Sequence, residues 1–177
     1  MRRLTISVAI GLLLVPCLAM AQYGMEEYEK TSEVRVRAGW FDMGDAGDGL
    51  GVGVDYAFEA WNQEWMAGLE WGDADGGPPA GETDGGGIDT CWGATFNWIG
   101  RSGDEMAMRE QAELYYGAGV GWYNVDNSSS DDSLGAQVLV GADFASDWFG
   151  ELRWVFGTDV LGGDVDGIRA AVGFRFK

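Results

Sequence analysis

The sequence predicts an all-β fold, an eight-stranded antiparallel up-and-down transmembrane β-barrel, on three observations. Apolar residues recur at every second position in eight separate segments. The residues between them hold the charge of those segments, together with runs of glycine. Tryptophans gather toward the segment ends, in two sets.

The segments follow in order. The first, about 33–42, sets Val34, Val36, Ala38 and Trp40 against Glu33, Arg35 and Arg37. The second, 49–60, sets Leu50, Val52, Val54, Tyr56 and Phe58 against Gly51, Gly53, Asp55 and Glu59. The third, 64–72, sets Trp65, Ala67, Leu69 and Trp71 against Gly68 and Glu70. In the fourth, 88–99, Ile88, Thr90, Trp92, Ala94, Phe96 and Trp98 oppose Asp89 and Cys91. The fifth, 111–124, alternates Leu114, Tyr116, Ala118, Val120 and Trp122 with Glu113, Tyr115, Gly117, Gly119, Gly121 and Tyr123. The sixth, 134–144, has Ala136, Val138, Val140, Ala142 and Phe144 opposite Gly141 and Asp143. The seventh, 148–157, carries Trp148, Gly150, Leu152, Trp154 and Phe156 opposite Glu151 and Arg153. The eighth, 167–177, closes with Ile168, Ala170, Val172, Phe174 and Phe176 opposite Arg169, Gly173 and Arg175. No segment has a 3.6-residue period, and "MAMREQ" at 106–111 adds at most one helical turn.

Charged residues are 23% of the chain, yet none falls on the apolar faces. A water-soluble barrel would turn those faces inward and leave a glycine-rich face outside, where glycine weakens a strand and covers nothing. The inverted assignment accounts for more. Apolar faces meet lipid, charges pair inside a narrow lumen, and glycines make room for long arginines. Trp61, Trp65, Trp98 and Trp148 then fall at one rim, and Trp40, Trp71 and Trp122 at the other. An indole has an apolar body and one N–H donor, so it favours a membrane interface. On this assignment Val120→Arg should be costly, and Gly119→Ser, facing the lumen, should matter less.

The connections alternate as well. Those at 61–63 and 145–147 are short. "GDAGDG", "GDADGGPPAGETDGGG", "NVDNSSSDDS" and "GTDVLGGDVDG" are richer in Gly and Asp. Short turns on the periplasmic side and longer loops outside are the outer-membrane pattern. "GRSGDEMAMREQ" is the exception, being long on the turn side. An even strand number puts both termini on that side.

Residues 1–21 read as a secretory signal peptide: Arg2 and Arg3, an apolar run, then Ala19-Met20-Ala21 before a cut at Gln22. Residues 22–31 follow as a short periplasmic tail, and 32–177 as the barrel. Cys17 leaves with the leader, so Cys91 stands alone and no intrachain disulfide forms. Cys91 falls on the lumenal face, where a lone cysteine is read as an inert small side chain. The net charge of −18 argues against nucleic acid, which needs basic patches.

The ending "GIRAAVGFRFK" resembles the terminal strand of bacterial outer-membrane β-barrel proteins, with Ile168, Ala170, Val172, Phe174 and Phe176 at alternate positions. It departs from that pattern by Lys177 after the last Phe. Over about 32–177 the architecture resembles the small eight-stranded group, similar to the membrane domain of outer membrane protein A and the opacity-type barrels. The resemblance implies the cell outer membrane of a Gram-negative envelope. It implies three kinds of partner: outer-membrane lipids, lipopolysaccharide, and the assembly machinery that reads the C-terminal strand. Some barrels of this group are lipid A deacylases or palmitoyltransferases with a catalytic histidine. This chain has no histidine, so that role transfers to no residue here.

Three function classes remain. The first is a non-enzymatic barrel with a structural or surface-interaction role, a lumen plugged by charged side chains, and acidic external loops as the place for any ligand. The second is a cation-preferring small-solute channel. The third is a lipid-acting enzyme. An eight-stranded lumen is filled by side chains, which ranks the first class above the second, and the missing histidine puts the third last. No catalytic, cofactor-binding or metal residue is assigned, and no cofactor. "DADG" at 73–76 and "DVDG" at 164–167 match fragments of calcium loops but lack the full spacing and the distal Glu, so turn chemistry explains them better.

Overall fold

A computed structural model describes residues 32–44, 47–73, 90–102, 112–126, 131–144, 147–158 and 165–177. The expected signal peptide and tail at 1–31, most of the long loops, Ile88, Asp89 and the "MAMREQ" stretch lie outside the described residues. The rest forms eight strands: β1 (Glu33–Asp42), β2 (Asp48–Ala60), β3 (Gln63–Asp73), β4 (Thr90–Arg101), β5 (Ala112–Asp126), β6 (Asp131–Phe144), β7 (Trp148–Phe156) and β8 (Gly167–Phe176). Each pairs antiparallel with the next, and β1 pairs with β8, so the sheet closes on itself without an edge. The closing register runs from Val34 opposite Phe176 to Phe41 opposite Arg169. This is the all-β, eight-stranded, up-and-down barrel that the alternation predicts.

The faces are inverted relative to a soluble barrel. Leu50, Val120, Leu134, Val140, Leu152 and Val172 are each more than half exposed on the outside. Arg35, Arg37, Arg153 and Arg169 are each no more than 2% exposed on the inside. Burial follows strand parity so closely because neighbouring side chains leave opposite faces of a pleated sheet. All nine tryptophans lie on the outward face or in a turn, which adds Trp92 and Trp154 to the loop-side set. Three girdle indoles donate to groups at the rims: Trp40 Nε1 to Asp48 at 2.8 Å, Trp98 Nε1 to Gln63 at 2.7 Å, and Trp65 Nε1 to the Ala60 carbonyl at 3.2 Å. The indole body is thereby left for the apolar band.

The β2–β3 connection is a two-residue turn with Trp61 and Asn62 at φ of 54° and 58°. Two positive φ values in succession match the twist of a hairpin. Asparagine tolerates that region better than a bulky aromatic does. Trp61 occupies it nonetheless and is 82% exposed at the turn end of the barrel.

Two apolar clusters sit inside the barrel. Toward the loop end, Phe41, Met43, Cys91, Tyr123, Val125, Val155 and Val165 pack together. Toward the turn end, Ala57, Met66, Ile99, Tyr115 and Leu139 do the same. Val165 belongs to the β7–β8 connection, so that loop turns its base inward over the bore. Asp166 fixes this arrangement. Its carboxylate accepts from Gly157 N and Thr158 N at 2.9 Å each and from Thr158 Oγ1 at 2.7 Å. Thr158 Oγ1 in turn accepts from Val165 N at 2.9 Å.

Candidate functional site: the lumenal charge network

Alternation sends one side chain in two from every strand into the bore, and on β1, β2, β3, β7 and β8 several of these are charged. Arg37 of β1 bridges two carboxylates, with Nε 2.9 Å from Asp55 of β2 and Nη2 2.7 Å from Glu70 of β3. Arg153 of β7 reaches across the lumen to the same Asp55 oxygen at 3.0 Å and also pairs with Glu151 of its own strand. Arg169 of β8 pairs with the other oxygen of Glu70. Tyr115 of β5 donates to Glu151 at 3.0 Å. The group holds three guanidinium groups and three carboxylates, all at most 5% exposed. Balance of charge matters here, because a buried ion without its partner costs several kcal/mol.

A second group lies toward the turn end. One Asp143 oxygen faces three arginines: Arg101 at 2.6 Å, Arg35 at 2.8 Å and Arg175 at 3.2 Å. Arg35 also pairs with Glu33 at 2.6 Å, and Arg101 with Glu64 at 2.6 Å and Glu113 at 3.3 Å. Glu113 is half exposed and Arg101 a quarter exposed, so this group opens toward water. Its carboxylates outnumber its arginines by four to three. Glu59, on the same parity, is exposed at the rim.

Aromatic rings cover the faces of the guanidinium groups. Arg35 lies 4.7 Å from the Tyr115 ring centroid and 5.1 Å from that of Phe149. Arg169 lies 4.9 Å from Tyr123 and 5.5 Å from Phe41. Such cation–π contacts add about 0.5–2 kcal/mol when water is excluded.

The lumenal glycines are the space that these rings and charges occupy. A Cβ on Gly53 would stand 2.7 Å from the Arg37 guanidinium carbon, and one on Gly93 would stand 2.9 Å from Glu70. A Cβ on Gly51, Gly121 or Gly141 would instead strike the rings of Phe41, Tyr123 or Tyr115, and one on Gly173 both the Val36 carbonyl oxygen and the Phe149 ring. Room for arginines is therefore only part of the reason for the glycine runs; ring packing is the larger part. The alternation already places Tyr115 and Tyr123 on the lumenal face of the fifth segment; Phe41 and Phe149, next to Trp40 and Trp148 and so on the same face, were not singled out.

The expectation for Gly119 also changes. An added Cβ there would meet the carbonyl oxygen of Phe96 and the amide oxygen of Asn97 on β4. Backbone cannot yield as a flexible side-chain tip does, so Gly119→Ser is not the mild change that an open lumenal position would allow.

Cys91 lies where parity puts it, 4% exposed in the loop-side apolar cluster, with Sγ 3.9 Å from the Trp92 carbonyl. Thiols of that kind are unreactive packing groups. Asp166, from the "DVDG" fragment, spends its carboxylate on the Thr158 and Gly157 turn.

No protein-family model matches this chain, and no curated protein matches its sequence. Solved structures do match. Neisserial surface protein A (NspA) is 14% identical, with a TM-score of 0.65 over 85% of this chain and 99% of NspA. Ail, the attachment invasion locus protein of Yersinia pestis, solved with the heparin analogue sucrose octasulfate, is 18% identical, with a TM-score of 0.46 over 84% of this chain and 100% of Ail. The chain has the fold of the small eight-stranded outer-membrane β-barrels.

Proposed function

We propose that this chain is a non-enzymatic barrel of the bacterial outer membrane, plugged by its own side chains, with a structural or surface-interaction role. The observation that carries this reading is the balanced ion-pair group of Arg37, Arg153 and Arg169 with Asp55, Glu70 and Glu151, lying between two apolar clusters. A conducting pore keeps its charged groups hydrated along the path. Here the charges of the central group pair with one another, which supports a filled bore. The outward apolar face supports placement in lipid, with outer-membrane lipids and lipopolysaccharide as its surroundings. The alternating apolar residues Ile168, Ala170, Val172, Phe174 and Phe176 support the C-terminal strand as the segment read by the assembly machinery. What the barrel offers for contact is its acidic loop end.

Planar-bilayer recording of the purified, refolded chain tests the reading. The plugged barrel is silent or opens rarely and briefly. A steady cation-selective current that falls on Asp55→Asn or Glu113→Gln would instead make the chain a small channel.

A further inference from the structure

Strand register decides which lumenal side chains face each other before a barrel closes. In the β7–β8 hairpin Arg153 stands directly opposite Arg169. At the β1–β8 seam Arg35 stands directly opposite Arg175. Like charges directly opposite each other destabilise an antiparallel pair. Among the described lumenal residues the hairpin supplies one carboxylate, Glu151, and Arg153 takes it. The rest comes from far round the ring: Asp55 of β2 for Arg153, and Glu70 of β3 for Arg169. Both strands lie three places from the arginine they serve, with the β1–β8 seam between. These pairs exist only when the seam is shut.

Charge is divided between the two sides in the same sense. Among the ion-paired lumenal residues, β1–β3 bring Arg35 and Arg37 against Glu33, Asp55, Glu64 and Glu70. The β7–β8 hairpin brings Arg153, Arg169 and Arg175 against Glu151. The N-terminal side is thus acidic and the C-terminal side basic, each by two charges.

We propose that the opposed Arg153 and Arg169 form a closure latch: they hold the C-terminal hairpin unsettled until Asp55 and Glu70 reach them across the lumen, so that the seam closes only in its native register. A slip of one residue turns every lumenal side chain of β8 outward. A slip of two keeps the parity but carries Arg169 away from Glu70 and leaves a guanidinium group buried without a carboxylate. The latch therefore acts against the error that alternation alone does not prevent.

The test follows seam closure in the full chain, unfolded in urea and diluted into lipid vesicles, as the compact form that migrates faster unheated than boiled. Glu70→Gln should close roughly tenfold more slowly than the parent, because Arg169 loses its counter-charge while Arg37 and Arg153 keep Asp55. Adding Arg169→Gln should bring closure back to near the parental rate, although it restores no ion pair. Raised salt should speed the single variant, by screening the arginines in the still-open hairpin, and leave the double variant unchanged. A Glu70→Gln variant that closes at the parental rate overturns the latch. So does a double variant as slow as the single, since that outcome means the carboxylate matters for something other than the opposed arginines.

Discussion

A single methyl group separates two glycines of this barrel. On Gly119 it would meet the Phe96 carbonyl across the β4–β5 pairing; on Gly150 the nearest atom, of Phe144, is 4.0 Å away. Gly150 lies on the outward face of β7, so Gly150→Ala adds apolar cover facing lipid and reduces the freedom of the unfolded chain, a gain of about 0.4–1 kcal/mol. Gly119→Ala should destabilise, because the strand pair must separate to admit it. Equilibrium unfolding of both variants from vesicles by denaturant reads the difference in sign. Val120, 59% exposed on the neighbouring outward position, gives the matching polar test. Val120→Arg should cost about 2–4 kcal/mol if it lies near the bilayer midplane. A loss no larger than that of a rim substitution such as Glu59→Gln would mean that this face does not meet hydrocarbon.

Among the described residues, the base of the β7–β8 connection is tied into the bore through Val165, as that of the β1–β2 connection is through Met43. Slight burial pushes the Asp166 carboxyl up, but hydrogen bonds from Thr158 Oγ1, Thr158 N and Gly157 N outweigh it and hold the group below its ordinary value of 3.8. The folded carboxyl being the stronger acid, the clamp contributes its full stability above that value. The contribution is lost as pH falls through the lower, folded value. Exchange protection of the Val165 amide, which donates to Thr158 Oγ1, should hold at neutral pH and fail in acid below the ordinary carboxylate range. Asp166→Ala should show the acid-like protection already at neutral pH. Unchanged protection in that variant would place the anchor in the Val165 side chain and its apolar neighbours instead. The element matters beyond its size, because Val165 seals the apolar layer between the loops and the ion pairs.

On the scale of the whole molecule, the alternation in sequence was enough to read strand number, face assignment and up-and-down order. Period-2 patterning survives in any strand with lipid on one side and lumen on the other. Strand ends moved by one to three residues: the sixth segment was read from 134, whereas β6 begins at Asp131 because Asp131–Ser133 extend the ladder with β5. Which charges meet was not legible. Asp55 stands directly opposite Arg35, yet its partners are Arg37, one step along, and Arg153 from across the bore. Such choices depend on barrel closure and on rings such as Phe41 and Tyr115 filling the space beside them. This barrel is apolar outside and charged within, and three adjacent positions on β6 report on both faces. Val138 and Val140 are exposed outward, and Leu139 between them is 4% exposed inside. In a Cys91→Ala background, Val138→Cys, Leu139→Cys and Val140→Cys are each labelled with a fluorophore and refolded into vesicles containing brominated lipid. Strong quenching at 138 and 140 with little at 139 is the predicted result; equal quenching at all three, or a maximum at 139, would contradict it.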